Sequence, residues 1–228
     1  MLKKYDLDIK QLKVVVFDWD NTLAESRTVL VYSVNEVLKE YGLQDWEIEK
    51  QKRDNNLSFK DNFVNIFGEN ATKAYEKYRA IYIQNVNRLI KTFPKTYEVL
   101  EFFKSKGISV MIMTNKERVL LEYELPILFN SEIFDNIVCG HEAKKDKPYP
   151  DHLIWTLKDI ISDTQINKHN VWVVGDSPQD SMCAQKAGAR AIRIGKSIWG
   201  DEDKIGEDVY FFDSFVDFYD TLLLSNSK

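Results

Sequence analysis

Cysteine and positive charge are both in short supply in this chain. Two cysteines occur in 228 residues, Cys139 and Cys183. They are too few and too far apart for a disulfide framework and suit a reducing compartment. Each reads as a small buried apolar side chain. The formal net charge is −5, which disfavours a nucleic-acid partner, since that would call for a basic surface. No run approaches the roughly 20 apolar residues of a membrane span, so no membrane partner is expected. Met1-Leu2-Lys3-Lys4-Tyr5-Asp6 is charged and lacks the apolar stretch of a signal peptide, and a cytoplasmic location is expected. Neither a repeat nor a low-complexity segment is present. What is there is 44% apolar and 29% charged residues, enough for one large domain, or for a core with a smaller one attached.

The chain is organised around Val14-Val15-Val16-Phe17-Asp18-Trp19-Asp20-Asn21-Thr22-Leu23. The apolar run, rich in β-branched residues, reads as a strand buried on both faces, as in parallel sheets. It ends on two aspartates one residue apart, which in an extended chain point the same way. Like charges at 4 Å repel by about 1 kcal/mol in water and about 4 kcal/mol at a protein-like effective dielectric. Such an arrangement needs a cation or a proton; the competing reading is a solvated turn.

Further apolar runs follow: Ile108–Met113, Phe134–Cys139, Val171–Val174, Ala191–Ile194 and a weaker one at Val209–Phe212. Their alternation with helical patterns implies βαβ units in a mainly parallel sheet with helices on both faces, a three-layer α/β/α arrangement. Ligands in such sheets bind beyond the carboxyl ends of the strands. Three runs stop there on polar pairs: Asp18/Asp20, Thr114/Asn115 and Gly175/Asp176.

From Asn21 to about Pro94 no strand-like run occurs, too long a gap for a single crossover helix. Leu30, Val34, Val37/Leu38 and Tyr41 recur at helical spacing up to Gly42, and Tyr75, Tyr78, Ile81/Tyr82, Val86 and Leu89 do so again. This predicts an inserted helical cap, either a lid over the strand ends or a plain subdomain. The expected boundaries are 25–92 for the cap, with 1–24 and 93–228 as the core. Within the cap, Gln51–Asn56 is polar and could touch a substrate or form a solvated face. Later helices are expected over about 94–106, ending at Gly107; over 117–124, stopped by Pro126; and over 151–161. A last one is capped by Asp213, with Ser225–Lys228 frayed.

In Gly175-Asp176-Ser177-Pro178-Gln179-Asp180, glycine permits a sharp turn, Ser177 suits a helix N-cap and Pro178 the first helical position. Asp180 then reaches back toward Asp176, or steadies its helix terminus, or both. If the first and fourth runs are neighbours, Asp18, Asp20, Asp176 and Asp180 crowd one rim. An oxygen-only set of that kind suits Mg²⁺, which pairs naturally with phosphate. Of Lys144, Lys145 and Lys147, the last, beside Pro148, is best placed to hold a phosphate. Thr114 and Asn115 offer further donors, or merely form a turn.

Together, Asp18-Trp19-Asp20-Asn21-Thr22-Leu23, Thr114-Asn115, Lys147-Pro148-Tyr149-Pro150-Asp151 and Gly175–Asp180 resemble the four ordered motifs of the haloacid dehalogenase superfamily. The insertion resembles the helical cap of its phosphoglycolate phosphatase and β-phosphoglucomutase branch. Asn21 stands where that branch usually has glycine, and asparagine tolerates the left-handed backbone angles needed. Trp19 is bulkier than the common residue and is expected to contact lid or substrate. The resemblance implies a HAD-like phosphoric monoester hydrolase acting on a small phosphorylated metabolite, such as phosphoglycolate or a sugar phosphate. Asp18 would be the nucleophile, ionised at neutral pH, and Asp20 the general acid and base. Mg²⁺ would be held by Asp18, the Asp20 backbone carbonyl, Asp176 and Asp180, and the phosphoryl group by Thr114, Asn115 and Lys147. Dehalogenases lack the second aspartate and are set aside. The alternatives are a phosphomutase with the same core and, from another class, a non-enzymatic phospho-acceptor or binding module.

Overall fold

Strand β1 (Val14–Phe17) runs through the middle of the sheet with every side chain buried. The computed structural model describes residues 5–54, 57–197 and 208–226. After β1 come β2 (Ala24–Glu25), α1 (Arg27–Glu40), α2 (Trp46–Glu49), α3 (Phe63–Phe67), α4 (Ala71–Leu89) and β3 (Lys91–Thr92). Then follow α5 (Thr96–Ser105), β4 (Ser109–Met113), α6 (Arg118–Leu128), β5 (Asn136–Val138), α7 (Pro150–Leu157) and β6 (Val171–Gly175). The chain closes with α8 (Pro178–Lys186), β7 (Arg190–Ile194), β8 (Val209–Phe212) and α9 (Phe215–Ser225).

Six strands form one sheet in the order β5-β4-β1-β6-β7-β8, and every adjacent pair is parallel. The period of two sorts the side chains. Val15 and Phe17, with Val110, Ile112 and Val174, face α5, α6 and α9; Val14 and Val16, with Met111, Met113 and Val173, face α7 and α8. The result is the expected three-layer α/β/α core. Even the weak run at Val209–Phe212 is a strand, because β7 offers it a parallel edge. Cys139 and Cys183 are buried and unbridged, as expected.

Helices α1 to α4 are inserted between β2 and β3, two short antiparallel strands that pair Ala24 with Thr92 and Glu25 with Lys91. These two-residue strands are too brief to leave a periodic signal. Inside the insertion, Phe63 stacks or tilts against Phe59, Phe67, Tyr75 and Tyr78 at centroid distances of 4.9–5.6 Å. The aromatic payload gives these helices a core that helix propensity alone would not supply.

Several local expectations are corrected. Helix α6 runs through Pro126. The proline and Glu122, whose carbonyl it leaves without an amide donor, are both exposed, so water can satisfy that group. Ser214, not Asp213, caps α9, its hydroxyl accepting from the Asp217 amide at 3.2 Å. The α7 segment ends at Leu157, short of Ile161. Ser225 and Asn226 do not fray: Ser225 accepts from the Leu7 amide at 3.1 Å, and Asn226 donates to the Leu7 carbonyl at 3.0 Å. Asn55, Asn56, Ser227 and Lys228 lie outside the described residues.

Phe103 is completely buried against Phe17, Trp172 and Phe218. Phe103→Ala is expected to lower stability by about 3–5 kcal/mol, read from urea unfolding.

Candidate active site

The sheet delivers its polar residues to one rim because β1, β4 and β6 are in register and end together: Phe17 lies beside Ile112 and Val174. The residues that follow β1, β4 and β6 therefore share a neighbourhood. Carboxylate oxygens of Asp18, Asp176 and Asp180 lie within 4.8 Å of one another, all three side chains buried. Lys147 is buried among them, its ammonium donating to Asp18 Oδ1 and Asp180 Oδ1 at 2.6 Å each. Of the three lysines considered, this is the one brought into the rim; Lys145 lies over the Tyr149 ring instead.

Each member of the cluster is anchored from behind. Asp180 closes a capping box on α8, its Oδ2 accepting from the Ser177 amide at 3.0 Å and hydroxyl at 2.6 Å. It therefore steadies the helix and faces Lys147 at once. Asp176 Oδ2 accepts from Asn21 Nδ2 at 2.9 Å, and its backbone carbonyl from buried Arg193 at 2.8 Å. Asn21 holds a left-handed φ of 57°, so the turn survives without glycine. Asn115 gives its amide to the Lys147 carbonyl at 2.9 Å and accepts the Lys147 N–H at 3.1 Å. The Asn115 side chain thus seats the lysine. Thr114 Oγ1 accepts from the Lys116 amide at 3.1 Å, closing the turn.

Gly175 is needed for a reason other than turning. Its φ is not left-handed; a Cβ there would stand 2.3 Å from Asp180 Cγ. The glycine lets the Asp180 carboxylate lie against the strand end.

The two aspartates of the first motif part company. Asp18 joins the acidic triad. The Asp20 side chain does not: its Oδ1 accepts from Ser26 Oγ at 2.5 Å and from Lys116 Nζ at 2.6 Å. The turn after β1 breaks the period-two direction that the extended chain implied. Trp19 is fully buried, donating to Glu124 and packing edge-on to Phe129, and is not among the residues that line the cleft.

Charge explains the chemistry available. Burial pushes the Asp18 carboxyl up to about 7; Lys147 opposes this and Asp180 adds to it. Burial thus works against the ionised form that the resemblance implies for Asp18, and the Lys147 ammonium works for it. Burial also disfavours the Lys147 ammonium, yet Asp18 and Asp180 outweigh it and hold its pKa above the ordinary value. Three buried carboxylates against one ammonium leave negative charge that a divalent cation would balance. An all-oxygen donor set of this kind fits Mg²⁺.

Above the rim lies a cleft with about 710 Å³ of empty space, mouth included. Its floor holds Asp18, Asp20, Thr114, Asn115, Lys147 and Asp176, while Leu30, Arg53, Phe59, Lys60, Tyr75 and Tyr78 of the insertion line it from above. From the polar stretch 51–56, then, Arg53 reaches the cleft. Core and insertion are tied at its edge: Glu117 accepts from Lys60 at 2.6 Å and from Tyr75 at 2.7 Å.

A family model described as haloacid dehalogenase-like hydrolase matches residues 15–194. The chain belongs to this family. Phosphoglycolate phosphatase from Aquifex aeolicus is 26% identical over 190 residues, 83% of this chain and 86% of the relative. Pyrophosphatase PpaX from Oceanobacillus iheyensis is 23% identical, covering 82% and 85%. CbbY from Rhodobacter sphaeroides, crystallised with phosphate, shares the fold with a TM-score of 0.75 at 18% identity, covering 91% and 96%. A predicted phosphoglycolate phosphatase from Haemophilus somnus does so at 0.75 and 20%, covering 93% and 99%. As a haloacid dehalogenase-like hydrolase the chain is an enzyme, and a silent binding module is set aside. Among the described residues no helix is long and apolar enough to cross a membrane.

Sequence reasoning missed Lys116, Glu124 and Arg193. Lys116 directly follows Thr114-Asn115, and Arg193 interrupts an apolar strand, so both left a trace. Glu124 looks like any charged residue in an amphipathic helix.

Two outcomes follow from this geometry. Gly175→Ala is expected to displace Asp180, lowering stability by about 1–3 kcal/mol and weakening Mg²⁺ binding in calorimetric titration. Burial, reinforced by Lys147, pushes the His152 imidazole down from 6.5 to about 3. The unfolded chain therefore takes up that proton first: the stability is present above about 6.5 and lost as pH falls toward 3. At about 1.4 kcal/mol per pH unit, His152→Gln should remove about 3 kcal/mol of the stability lost by the parent protein between pH 6.5 and 4, measured by urea unfolding.

Proposed function

We propose that the protein is a Mg²⁺-dependent phosphatase that hydrolyses a small phosphorylated metabolite through an aspartyl phosphate on Asp18. The observation that carries this is the buried Asp18–Asp176–Asp180 triad facing the Lys147 ammonium beneath a cleft lined by the insertion. Relatives named for phosphoglycolate and pyrophosphate hydrolysis, similar over more than four-fifths of the chain, support a small phosphorylated substrate.

Asp18, Asp176, Asp180 and the Asp20 backbone carbonyl would hold the cation. When bound, Mg²⁺ would supply charge neutralisation that lets phosphate approach the carboxylates. Lys147, the Thr114 hydroxyl and the Asn115 backbone N–H bind phosphoryl oxygens, where developing negative charge makes preorganised donors most effective. An Asp18 carboxylate oxygen attacks phosphorus as the bond to the leaving oxygen breaks. Asp20 gives that oxygen its proton, so the product is a neutral alcohol. In the second half, water attacks phosphorus and passes a proton to Asp20; the bond to Asp18 breaks, releasing inorganic phosphate and restoring both aspartates. Residues 25–92 act as the cap, excluding water and selecting the substrate.

Asp18→Asn is expected to abolish inorganic phosphate release from a panel of phosphorylated metabolites, and excess chelator to abolish it in the parent protein. Full turnover in either case, or isomerisation without phosphate release, would overturn the reading.

A further inference from the structure

Lys116 sits next to Thr114 and Asn115 and lines the cleft, so its residue type suggests another phosphate ligand. Its surroundings argue otherwise. An ammonium has three N–H donors. Those of Lys116 face four acceptors: Asp20 Oδ1 at 2.6 Å, Glu124 Oε1 at 2.6 Å, Glu124 Oε2 at 2.8 Å and the Tyr82 hydroxyl at 3.2 Å. No donor remains for a substrate.

Glu124 is the more telling partner. It is fully buried on α6, outside the acidic triad and the lining of the cleft. A buried carboxylate is costly unless paired. Here it is bound by Lys116 and by the Trp19 indole N–H, and Trp19 stands between Asp18 and Asp20 in the chain. The pair therefore grips the first motif twice, through the Trp19 ring and the Asp20 carboxylate.

At Asp20 the two oxygens differ. Oδ1 accepts both available donors, Ser26 Oγ and Lys116 Nζ. Oδ2 accepts no hydrogen bond from the described residues, and the side chain is partly open to the cleft.

We propose that Lys116, clamped by buried Glu124, is a positioning residue that anchors Oδ1 of Asp20 and thereby leaves Oδ2 as the oxygen that gives and takes the proton. This rests on the phosphatase reading above. In the first half-reaction the Oδ2 proton goes to the leaving oxygen as its bond to phosphorus breaks; in the second, Oδ2 takes the proton of the attacking water as the bond to Asp18 breaks. Tyr82 belongs to α4 of the insertion, so the same ammonium joins the acid–base group to the cap.

The test is Lys116→Met combined with Glu124→Gln, which removes both charges and so leaves no unpaired buried ion. With an alkyl phosphate, whose leaving group needs the proton, kcat should fall by about 10² or more, with KM little changed. With p-nitrophenyl phosphate, whose leaving group does not, Asp18 should still be phosphorylated. A burst of nitrophenolate equal to the sites should then precede slow steady turnover, because the second half-reaction still needs Asp20. A merely structural pair would not split the two substrates in this way. Glu124→Gln alone keeps shape and the Lys116 charge; the same pattern at smaller amplitude is expected there, and it serves should the double variant not fold. Parent-like turnover of the alkyl ester, or loss of the burst together with steady turnover, would overturn the proposal. A parent protein that releases no phosphate, or one indifferent to Asp18→Asn, would instead overturn the phosphatase reading itself.

Discussion

Three carboxylates held within 4.8 Å of one another in a buried place are the constraint on which the rest of the structure depends. Each pair repels by about 4 kcal/mol at 4 Å and a protein-like effective dielectric, and desolvation adds to the cost. One ammonium, Lys147, meets two of them. Much of the surrounding architecture exists to keep that arrangement from dispersing. Asn115 fixes the Lys147 backbone in both hydrogen-bonding directions, Ser177 and the α8 terminus hold Asp180, Asn21 and Arg193 hold Asp176, and Gly175 makes room. The negative charge that remains is what fits the rim to a dication.

Environment separates the two aspartates of the first motif into different chemistries. Burial raises the pKa of the Asp18 carboxyl, with Lys147 opposing the shift and Asp180 adding to it. Asp20, two residues on, meets a lysine and a hydroxyl instead. Identical side chains thus stand in unlike electrostatic settings, which suits the nucleophilic and acid–base roles proposed for them. The helical insertion is bound into this division: Lys116 touches Tyr82 of α4, and the adjacent Glu117 meets Lys60 and Tyr75. Two consecutive residues after β4 therefore hold both Asp20 and the cleft wall that the insertion provides.

Elements with a repeating physical signal were legible in the chain: the buried strands, α1, α4 and the α8 terminus with its Ser-Pro start. Features that depend on partners far away in sequence were not. The β2–β3 pair is too short for periodicity, and Pro126 stays helical because it and Glu122, one turn before it, are exposed. Ser225 and Asn226 are ordered by Leu7 and Ile9, more than two hundred residues away. Trp19 is buried and not among the residues lining the cleft, because Glu124 gives its indole N–H a buried acceptor.

The amino-acid order alone determined which strands are buried, that they lie mainly parallel, and which polar residues follow their carboxyl ends. Hydrophobic runs and turn residues act over short stretches and leave a local record. Only the tertiary structure decided that Asp18 and Asp20 face different partners, that Asn115 seats Lys147, and that Lys116 is clamped by Glu124. Those outcomes depend on which side chains the parallel register brings within about 3 Å, where hydrogen bonds form and unpaired charge becomes costly, and that proximity is written in no single segment.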